Sequence, residues 1–354
     1  GVRVCLPCSK PTGKRAWNTE GMSGPDLAQL RASAHVVSIP LTTPFRGVHH
    51  REAMIFSGPA GPAEWSPFVE YDDDEAALWL KSACEQGWNP VAHHLSLPTT
   101  IRVNGTIPAV AASEVEALIV AAGHPRTVKV KVGGPGTTLM EDVARVAEAR
   151  KVLGPTGRVR IDANGCWSVD EAEHAIREME HLDLEYVEQP VASLEDMVEI
   201  RQRISRMGIP VAADESIRRW SDYEQTLAAG ACDLIVLKVQ PLGGVRATEK
   251  LLEKADNAGV GAVLSSALDT SVGLHQAALL QARRESSHPD ALDAGLGTSG
   301  FLAHDVVKNP LVAHGGELTL EPLELDPQAL TERAAPTDRE AWWLERLERC
   351  WELL

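Results

Sequence analysis

Positive charge is scarce in this sequence. The 354 residues contain 34 Lys and Arg against 50 Asp and Glu, which gives a formal net charge of −16. Proteins that bind nucleic acids need clustered Lys and Arg to contact the phosphates. We therefore expect no nucleic-acid partner. An anionic small-molecule substrate would need a pocket that is locally positive.

Long apolar runs are also missing. The sequence is 44% hydrophobic, yet none of its segments approaches the length of apolar chain that spans a membrane. The N-terminal residues include basic side chains but no apolar stretch followed by a small-residue cleavage site, so they do not indicate a secretory signal. We expect a cytoplasmic protein with no membrane contact and no obligate protein partner.

Cysteines are few and scattered. Of the six, Cys5 and Cys8 form a CxxC sequence, but no second pair follows at zinc-finger spacing. No cluster of His and Cys competes for zinc. The pattern favours reduced thiols rather than a disulfide framework.

Glycine-rich phosphate loops are absent as well, since no GxGxxG or Walker sequence follows the first strand of the repeating region. From Ile101 onward, short β-branched runs alternate with helical patterns at a period of about 25 residues, the length of one β/α unit. Six or more such units in series predict a closed (β/α)7–8 TIM-type barrel. The predicted strands are Thr127–Val132, Val159–Asp162, Leu184–Glu188, Pro210–Ala213, Leu234–Lys238 and Gly261–Leu264.

Capping signals predict where the intervening helices begin and end. A serine precedes a carboxylate by three residues at several predicted helix starts, which is the pattern of a capping box. Glycines mark the predicted helix ends. The starts are Ser168 with Glu171, Ser193 with Asp196 and Ser221 with Glu224, and the ends are Gly154, Gly208 and Gly230.

Four parts are predicted along the chain. Residues 1–28 begin with a Pro-, Gly- and Lys-rich stretch in which Met22 is a candidate natural start, so we expect an extension that is disordered or not native. Residues 29–99 lack the β/α rhythm and predict an α+β capping domain. Residues 100–305 form the barrel, and residues 306–354 pack on the cap and the barrel.

Within the cap, His35–Pro40 and Phe68–Tyr71 predict strands and Asp73–Glu85 predicts a helix. The C-terminal stretch opens with a capping pair, Thr337 and Glu340. Apolar residues at helical spacing follow, and we interpret their aromatic stripe as a packing surface rather than a cofactor site. They are Trp343, Leu344, Leu347 and Trp351.

Charged side chains end one predicted barrel strand after another. Residues that do chemistry in such barrels lie at the carboxyl ends of the strands, where the loops converge. A single charge there is usually only the first solvated residue. Here, acids on three consecutive strands lie between lysines on the strands before and after. The strand-end residues are Lys129, Lys131, Asp162, Asn164, Glu188, Asp214, Glu215, Lys238, Ser265 and Ser266.

These residue types indicate a metal-assisted reaction. Carboxylate oxygens suit a hard cation such as Mg2+, with Mn2+ as an alternative. Lys129 and Lys131 project to the same face of their strand. A neighbouring ammonium and a metal ion both disfavour the charged form of Lys131, the direction that a general base requires. Arg160 lies one layer below Asp162, where it could contact a lysine or a ligand carboxylate, or form a structural ion pair.

Five motifs occur in order along the barrel: Lys-Val-Lys at 129–131, Asp-Ala-Asn at 162–164, Glu-Gln-Pro at 188–190, Ala-Asp-Glu-Ser at 213–216 and Leu-Lys-Val at 237–239. Over residues 29–307 they resemble the enolase superfamily, in its muconate-lactonising subgroup. The short chain and two further segments most resemble the actinobacterial o-succinylbenzoate synthase family of menaquinone biosynthesis. Those segments are residues 160–164 and 264–268.

The resemblance implies a carbon–oxygen lyase that removes a proton next to a carboxylate. It implies that the metal is bound by Asp162, Glu188 and Asp214. Lys131 would be the base, and would then protonate the departing hydroxyl. Lys238 would stay protonated and stabilise the enediolate.

The resemblance also assigns supporting roles. Glu215 would support the metal site without binding the ion. Ser265 and Ser266 would either hydrogen-bond the succinyl carboxylate of the substrate or serve as turn residues. Residues 43–52 resemble the mobile loop that closes over the substrate in this superfamily. The polar side chains of that loop are Arg46, His49, His50 and Arg51.

Other activities stay open at this point. An N-acylamino-acid racemase uses the same two-lysine arrangement, with one lysine for each face of the substrate. A dipeptide epimerase would require an Asp-x-Asp where this chain has Asp293-Ala294-Gly295. A catalytically silent binding relative would have to lack a site residue, and all five are present.

Overall fold

The computed structural model describes residues 24–45, 48–217 and 219–354. Most of the predicted extension and its CxxC pair therefore lie outside the described residues, as does Arg46. None of the described helices is both long and apolar enough to cross a membrane.

The N-terminal part is an α+β cap, as predicted. Helix α1 (Leu27–Ser33) leads into an antiparallel sheet of β1 (Ala34–Phe45), β2 (Val48–Gly58) and β3 (Gly61–Trp65), in that order. Helix α2 (Asp73–Trp88) then packs on the sheet. Its N-terminus is fixed by the Asp72 carboxylate, which accepts the N–H of Glu75.

The predicted strand at Phe68–Tyr71 is wrong. This segment is a turn in which the N–H of Tyr71 donates to the carbonyl of Phe68 at 3.2 Å. Both rings pack edge-on against Trp79 of α2, with centroids 6.2 and 6.1 Å away. The aromatic composition suggested a strand, but two aromatic residues three positions apart reach one neighbour equally well from a turn.

From Thr99 onward, strands and helices alternate. Strand β4 is Thr99–Arg102, and β5 to β11 form a parallel sheet whose strands follow chain order. Each predicted barrel strand is confirmed to within one residue at either end. The strands are β5 Gly105–Ile107, β6 Thr127–Lys131, β7 Arg158–Asp162, β8 Leu184–Glu188, β9 Val211–Ala213, β10 Leu234–Lys238 and β11 Gly261–Ser265.

Seven helices connect and cover these strands within the described barrel. They bury apolar side chains of one large cluster against the outer face of the sheet. The helices are α3 Ala112–Ala121, α4 Leu139–Leu153, α5 Val169–Met179, α6 Leu194–Arg203, α7 Trp220–Ala228, α8 Val245–Ala258 and α9 Ser271–Ser287.

A two-residue link closes the sheet into a barrel. Ala294 bridges to Val103 beside β5, and Gly295 bridges to Ser265 at the end of β11. The N–H of Gly295 donates to the carbonyl of Leu264 at 2.8 Å. A Cβ atom on Gly295 would lie 2.8 Å from the Ser265 hydroxyl, so a larger residue here would displace that hydroxyl from its contact with the link. The predicted barrel of seven to eight units is confirmed.

The capping signals hold for two helices of the three. Ser168 and Ser193 each accept the N–H three residues ahead, as predicted. The predicted start at Ser221 is wrong, because α7 begins at Trp220. Arg219 precedes it and donates its own N–H to Asp222, which leaves Ser221 within the first turn. The three predicted glycine stops all have positive φ angles.

The C-terminal segment returns to the cap. Strand β12 (Glu317–Leu320) pairs antiparallel with β4, and helices α10 (Pro327–Glu332) and α11 (Thr337–Glu352) follow. The predicted capping pair at Thr337 is wrong, since Pro336 holds the N-cap position and Thr337 is already helical. The division at residues 28, 99 and 305 stays a prediction.

Helix α11 buries its aromatic stripe in the cap, as expected of a packing surface. Trp343 is fully buried and its ring meets that of Trp65 edge-on at 5.3 Å. Glu52 of β2 accepts hydrogen bonds from Trp343 Nε1 at 2.8 Å and from Arg339 at 2.7 and 2.9 Å. Burial alone would raise the pKa of Glu52, but these hydrogen bonds outweigh burial and lower it below 4.5.

The Glu52 contacts predict how stability depends on pH. A carboxylate whose folded-state pKa is lowered stabilises the fold above its unfolded pKa and loses that contribution as pH falls. Glu52→Gln should therefore lower the free energy of unfolding by about 1–2 kcal/mol near pH 7, and by clearly less near pH 4. Urea unfolding at both pH values measures this. Glu345→Gln, an exposed change on α11, the helix that Glu52 contacts, is the control, and an equal loss at both pH values would contradict the role of the charge.

Candidate active site

A cavity of about 420 Å3 lies between the cap and the carboxyl ends of the barrel strands. Nine of the eleven site residues predicted from the sequence line this cavity, and only Glu188 and Arg160 do not. From the cap, aromatic side chains complete the lining. The lining includes Lys129, Lys131, Asp162, Asn164, Asp214, Glu215, Lys238, Ser265 and Ser266 from the barrel, and Phe68, Tyr71, Glu75 and Trp79 from the cap.

Three acids occupy the ends of three adjacent strands. Asp162 on β7 is directly opposite Glu188 on β8, and Asp214 follows β9. All three are buried, with at most 7% of the residue exposed. Buried carboxylates at this spacing repel one another, so the surrounding residues must supply positive charge.

Lysine ammonium groups supply that charge. Lys129 Nζ donates to both carboxylate oxygens of Glu188, at 3.0 and 3.1 Å, and lies 3.5 Å from Asp162. Lys131 is hydrogen-bonded to Asp162, and Lys238 to Asp214. The register places Lys131 opposite Asp162 across the β6–β7 pair. Each acid therefore holds a lysine from an adjacent strand or from the strand beyond it.

The charges shift the pKa values of the acids in opposite directions. Burial and the negative charge of Asp162 raise the pKa of Glu188 to about 7, against the opposing effect of Lys129. Burial would also raise the pKa of Asp162, but Lys131 and Lys129 outweigh it and hold that pKa well below its usual range. One carboxylate of the pair thus carries the charge more readily than the other.

Two motif residues with left-handed backbone support the acids and Lys131 through their side chains. Gln189 has φ +37°, and its side-chain oxygen accepts the N–H of Asp214 at 3.0 Å. Asn164 has φ +47°, and its amide donates to Glu215 at 2.8 Å while its oxygen accepts from Lys131 at 3.1 Å. Left-handed backbone of this kind costs energy and persists only where the surroundings fix it.

Sequence profiles of known families match most of the chain. The family described as enolase C-terminal domain-like matches residues 110–324, and the family described as enolase N-terminal domain-like matches residues 36–87. The first match alone spans more than half of the chain.

The chain belongs to the enolase superfamily.

Curated relatives narrow the position of the chain within this superfamily. An o-succinylbenzoate synthase of Mycolicibacterium smegmatis is 41% identical over 332 residues, which cover 93% of this chain and 98% of that protein. The o-succinylbenzoate synthase of Thermobifida fusca is 44% identical over 326 residues, covering 88% and 97%. Together with the family match, these relatives place the chain among the superfamily members whose curated relatives carry the name o-succinylbenzoate synthase.

Solved structures confirm the fold. The muconate lactonizing enzyme of Pseudomonas putida aligns with a TM-score of 0.70 at 20% identity, covering 85% of this chain and 98% of that one. The barrel with its N-terminal cap is thus the enolase-superfamily architecture, as the five motifs indicated.

The acid cluster fits a divalent cation by its chemistry. Its three buried carboxylates form an all-oxygen donor set, which hard cations such as Mg2+ prefer. Among the described residues, no three His, Cys, Asp or Glu side chains are arranged to hold a metal ion as they stand, and each of the three acids contacts a lysine. Burial, together with repulsion from Asp162, raises the pKa of Glu188, and a bound cation would relieve the repulsion.

Arg160 lies below the cavity rather than in its lining. Its fully buried guanidinium donates to Glu185 at 2.6 Å, to the side-chain oxygen of Asn104 at 3.0 Å and to the carbonyl of Asp293 at 2.8 Å. Of the two readings left open for Arg160, these contacts support the structural ion pair.

Several lining residues were not predicted. Thr298 follows the closing link, and its hydroxyl lies 2.6 Å from that of Ser266, so the two form one polar edge of the cavity. Asn104, which precedes β5, and Thr106 within β5 line the cavity on the other side of the closing link. No motif marks these positions, and only the closure of the barrel brings them to the site.

The predicted mobile loop contributes no described residue to the lining. His49 and His50 are exposed, and Arg51 is buried behind the cavity wall. None of the three lines the cavity.

A larger cavity of about 520 Å3 lies at the opposite, amino ends of the barrel strands. Its arginines are already engaged: Arg126 with Asp293, and Arg102 with backbone carbonyls. Residues at this end of such barrels serve stability, whereas those at the carboxyl ends serve chemistry. The smaller cavity is therefore the candidate active site.

Replacing Glu188 tests the metal site. Mg2+ should raise the melting temperature of the wild-type chain, because a ligand of the folded state stabilises it. Glu188→Gln should weaken Mg2+ binding at least about tenfold and reduce that rise accordingly. Glu185→Gln, on the same strand but at the other end of the barrel, should keep the wild-type rise. An undiminished rise in Glu188→Gln would contradict the site.

Proposed function

We propose that this chain is an o-succinylbenzoate synthase. It would dehydrate 2-succinyl-6-hydroxy-2,4-cyclohexadiene-1-carboxylate in menaquinone biosynthesis, with Mg2+ as its cofactor. One observation carries the proposal: Lys131 and Lys238 line one cavity on either side of three buried carboxylates. The curated relatives, which carry this name, support the choice of substrate.

Lys131 is the proposed base. A proton next to a carboxylate is very weakly acidic, and its removal places extra negative charge on the substrate. Lys131 reaches the cavity from β6, with 27% of its side chain exposed, and Asp162 and Asn164 hold its amine. After taking the proton, Lys131 gives it to the departing hydroxyl on the same face, and formation of the aromatic ring drives the elimination.

Lys238 is the proposed electrostatic partner. Burial would lower the pKa of Lys238, but the charge of Asp214 and its hydrogen bond outweigh burial and raise that pKa. An ammonium group is therefore present when charge develops on the substrate carboxylate. A fixed positive group in a dry cavity stabilises such charge more than water does.

Asp162, Glu188 and Asp214 would hold the cation, which when bound supplies Lewis-acid polarisation of the substrate carboxylate. Lys129 stays protonated beside Glu188: burial works against its charge, but Glu188 and Asp162 raise its pKa well above the usual value. Lys129 thus keeps the cluster near neutrality and does not compete for the proton.

The rest of the cavity suits the substrate's two ends. The hydroxyl groups of Ser266 and Thr298 form a polar edge that can receive the succinyl carboxylate. Phe68, Trp79 and Leu242 offer an apolar wall for the ring.

A second candidate is racemisation of an N-acylamino acid. The observation that favours it is the same pair of lysines, since racemisation requires one base for each face of the substrate. Deuterium uptake at the α-carbon of N-acylamino acids in heavy water distinguishes this activity from dehydration.

The primary assay follows loss of the diene absorbance of the cyclohexadiene substrate. With Mg2+ the wild-type chain should convert it, and EDTA should stop the conversion, because the three carboxylates cannot otherwise polarise the substrate. If the chain does not convert the substrate with Mg2+ present, the substrate assignment is refuted. N-acylamino acids would then be the next substrates to test.

Lys131→Ala tests the base. Turnover should fall by about 10²–10⁴-fold or more, the usual contribution of a positioned general base. The Mg2+-induced rise in melting temperature should persist, because the three acids remain. Lys151→Ala, an exposed lysine on α4, is the control. Turnover near the wild-type rate in Lys131→Ala would refute the assignment.

A further inference from the structure

Arg51 of β2 joins the cap to the barrel. It is 3% exposed, and its guanidinium donates to backbone carbonyls on both sides. In the cap it contacts the carbonyls of Ser66 and Glu52, the latter at 3.3 Å. In the barrel it contacts those of Leu268 and Ala267, both at 3.1 Å. Charge-assisted hydrogen bonds of this kind are stronger than neutral ones.

These carbonyls belong to two walls of the cavity. Ser66 leads into Phe68, whose ring lies under the Arg51 guanidinium with the centroid 4.3 Å away. Phe68 lines the cavity from the cap, while Ala267 and Leu268 line it from the barrel. One side chain therefore holds both walls from behind without entering the cavity.

The barrel wall needs this support. Leu268 has φ +58°, a left-handed conformation that a branched side chain adopts only when its surroundings hold it. Beyond Leu268, the buried Glu64 of β3 accepts the N–H groups of Thr270 at 3.1 Å and Gly273 at 2.8 Å. The cap thus forms hydrogen bonds with the loop after β11 at two places, Ala267–Leu268 and the start of α9.

Charge favours the arrangement as well. Glu64 and Asp269 are both buried and their carboxylates attract Arg51. Gln240, two residues beyond Lys238, donates to Asp269 at 2.6 Å and to Ser66 at 3.3 Å. The contacts of Arg51 therefore lie in one buried polar interface between cap and barrel.

We propose that Arg51 is a positioning residue that fixes the distance between the Phe68 wall and the Ala267–Leu268 wall of the substrate cavity. The effect on catalysis rests on the proposed function; the coupling of the walls does not. Ser265 and Ser266 immediately precede the clamped loop. Loosening it weakens substrate binding in ground and transition states alike, which raises KM and leaves kcat nearly unchanged.

Hydrogen exchange tests the coupling without any substrate. In full-length Arg51→Met, peptides covering residues 66–71 and 267–270 should both exchange at least about tenfold faster than in the wild type, because local opening becomes easier. Arg150→Met is the matched control. Arg150 also donates to four carbonyls, but none of its partners lines the cavity: Leu182, Gly154, Gly157 and Asp183. It should leave both peptides unchanged.

Kinetics test the consequence. Arg51→Met should raise KM for the cyclohexadiene substrate about tenfold and change kcat by less than about threefold. Arg51→Lys keeps the charge and some of the hydrogen bonds, so its KM should rise less than that of Arg51→Met. If Arg51→Met does not fold, Arg51→Lys replaces it in both the exchange and the kinetic measurements.

Faster exchange in only one wall, or in neither, overturns the proposal. So does a fall in kcat at constant KM, or the same changes in Arg150→Met. If the wild-type chain does not convert the substrate, that result counts against the proposed function alone. The hydrogen-exchange measurement still tests whether Arg51 couples the two walls.

Discussion

Repulsion among three buried carboxylates is the constraint on which the site depends. Asp162, Glu188 and Asp214 lie on neighbouring strands with almost no exposure to water, and such charges are stable only when paired. Lys129 lies between Asp162 and Glu188 and contacts both, whereas Lys131 pairs with Asp162 and Lys238 with Asp214. The same balance of charge keeps two amines beside the place where, under the proposed function, substrate charge develops.

The barrel could be predicted from sequence because two signals coincide. Apolar strand runs recur at the β/α period, and the residue that ends each run is polar, so strand, register and site follow from one pattern. The two-residue period of side chains along a strand was enough to predict that Lys131 and Asp162 point toward each other. The metal ligands and the base remain predictions, since the structure shows their proximity and not their reaction.

Other features depend on contacts that sequence spacing does not encode. Thr298 reaches Ser266 only because the barrel closes, and Arg51 meets Leu268 across 217 positions of the chain. Phe68–Tyr71 has strand-like composition but is held as a turn by Trp79 of a later helix. Arg160 was correctly placed below Asp162, yet its partner Glu185 lies on the next strand, and only the structure decides between a ligand contact and an internal ion pair.

The two-residue link at Ala294 and Gly295 divides the site into unequal halves. The acids and lysines stand on or directly after β6 to β10, of which all but β9 are five residues long, whereas Ser265 and Thr298 adjoin a seam held by single bridges. Fewer backbone hydrogen bonds mean a lower local free energy of opening. The half that carries the predicted metal ligands and lysines is thus the one with more backbone pairing, whereas the seam beside Ser265 and Thr298 relies more on contacts with the cap. Under the proposed function, a substitution at this seam would alter the seat of the substrate's tail and leave the lysine–acid pairs in place.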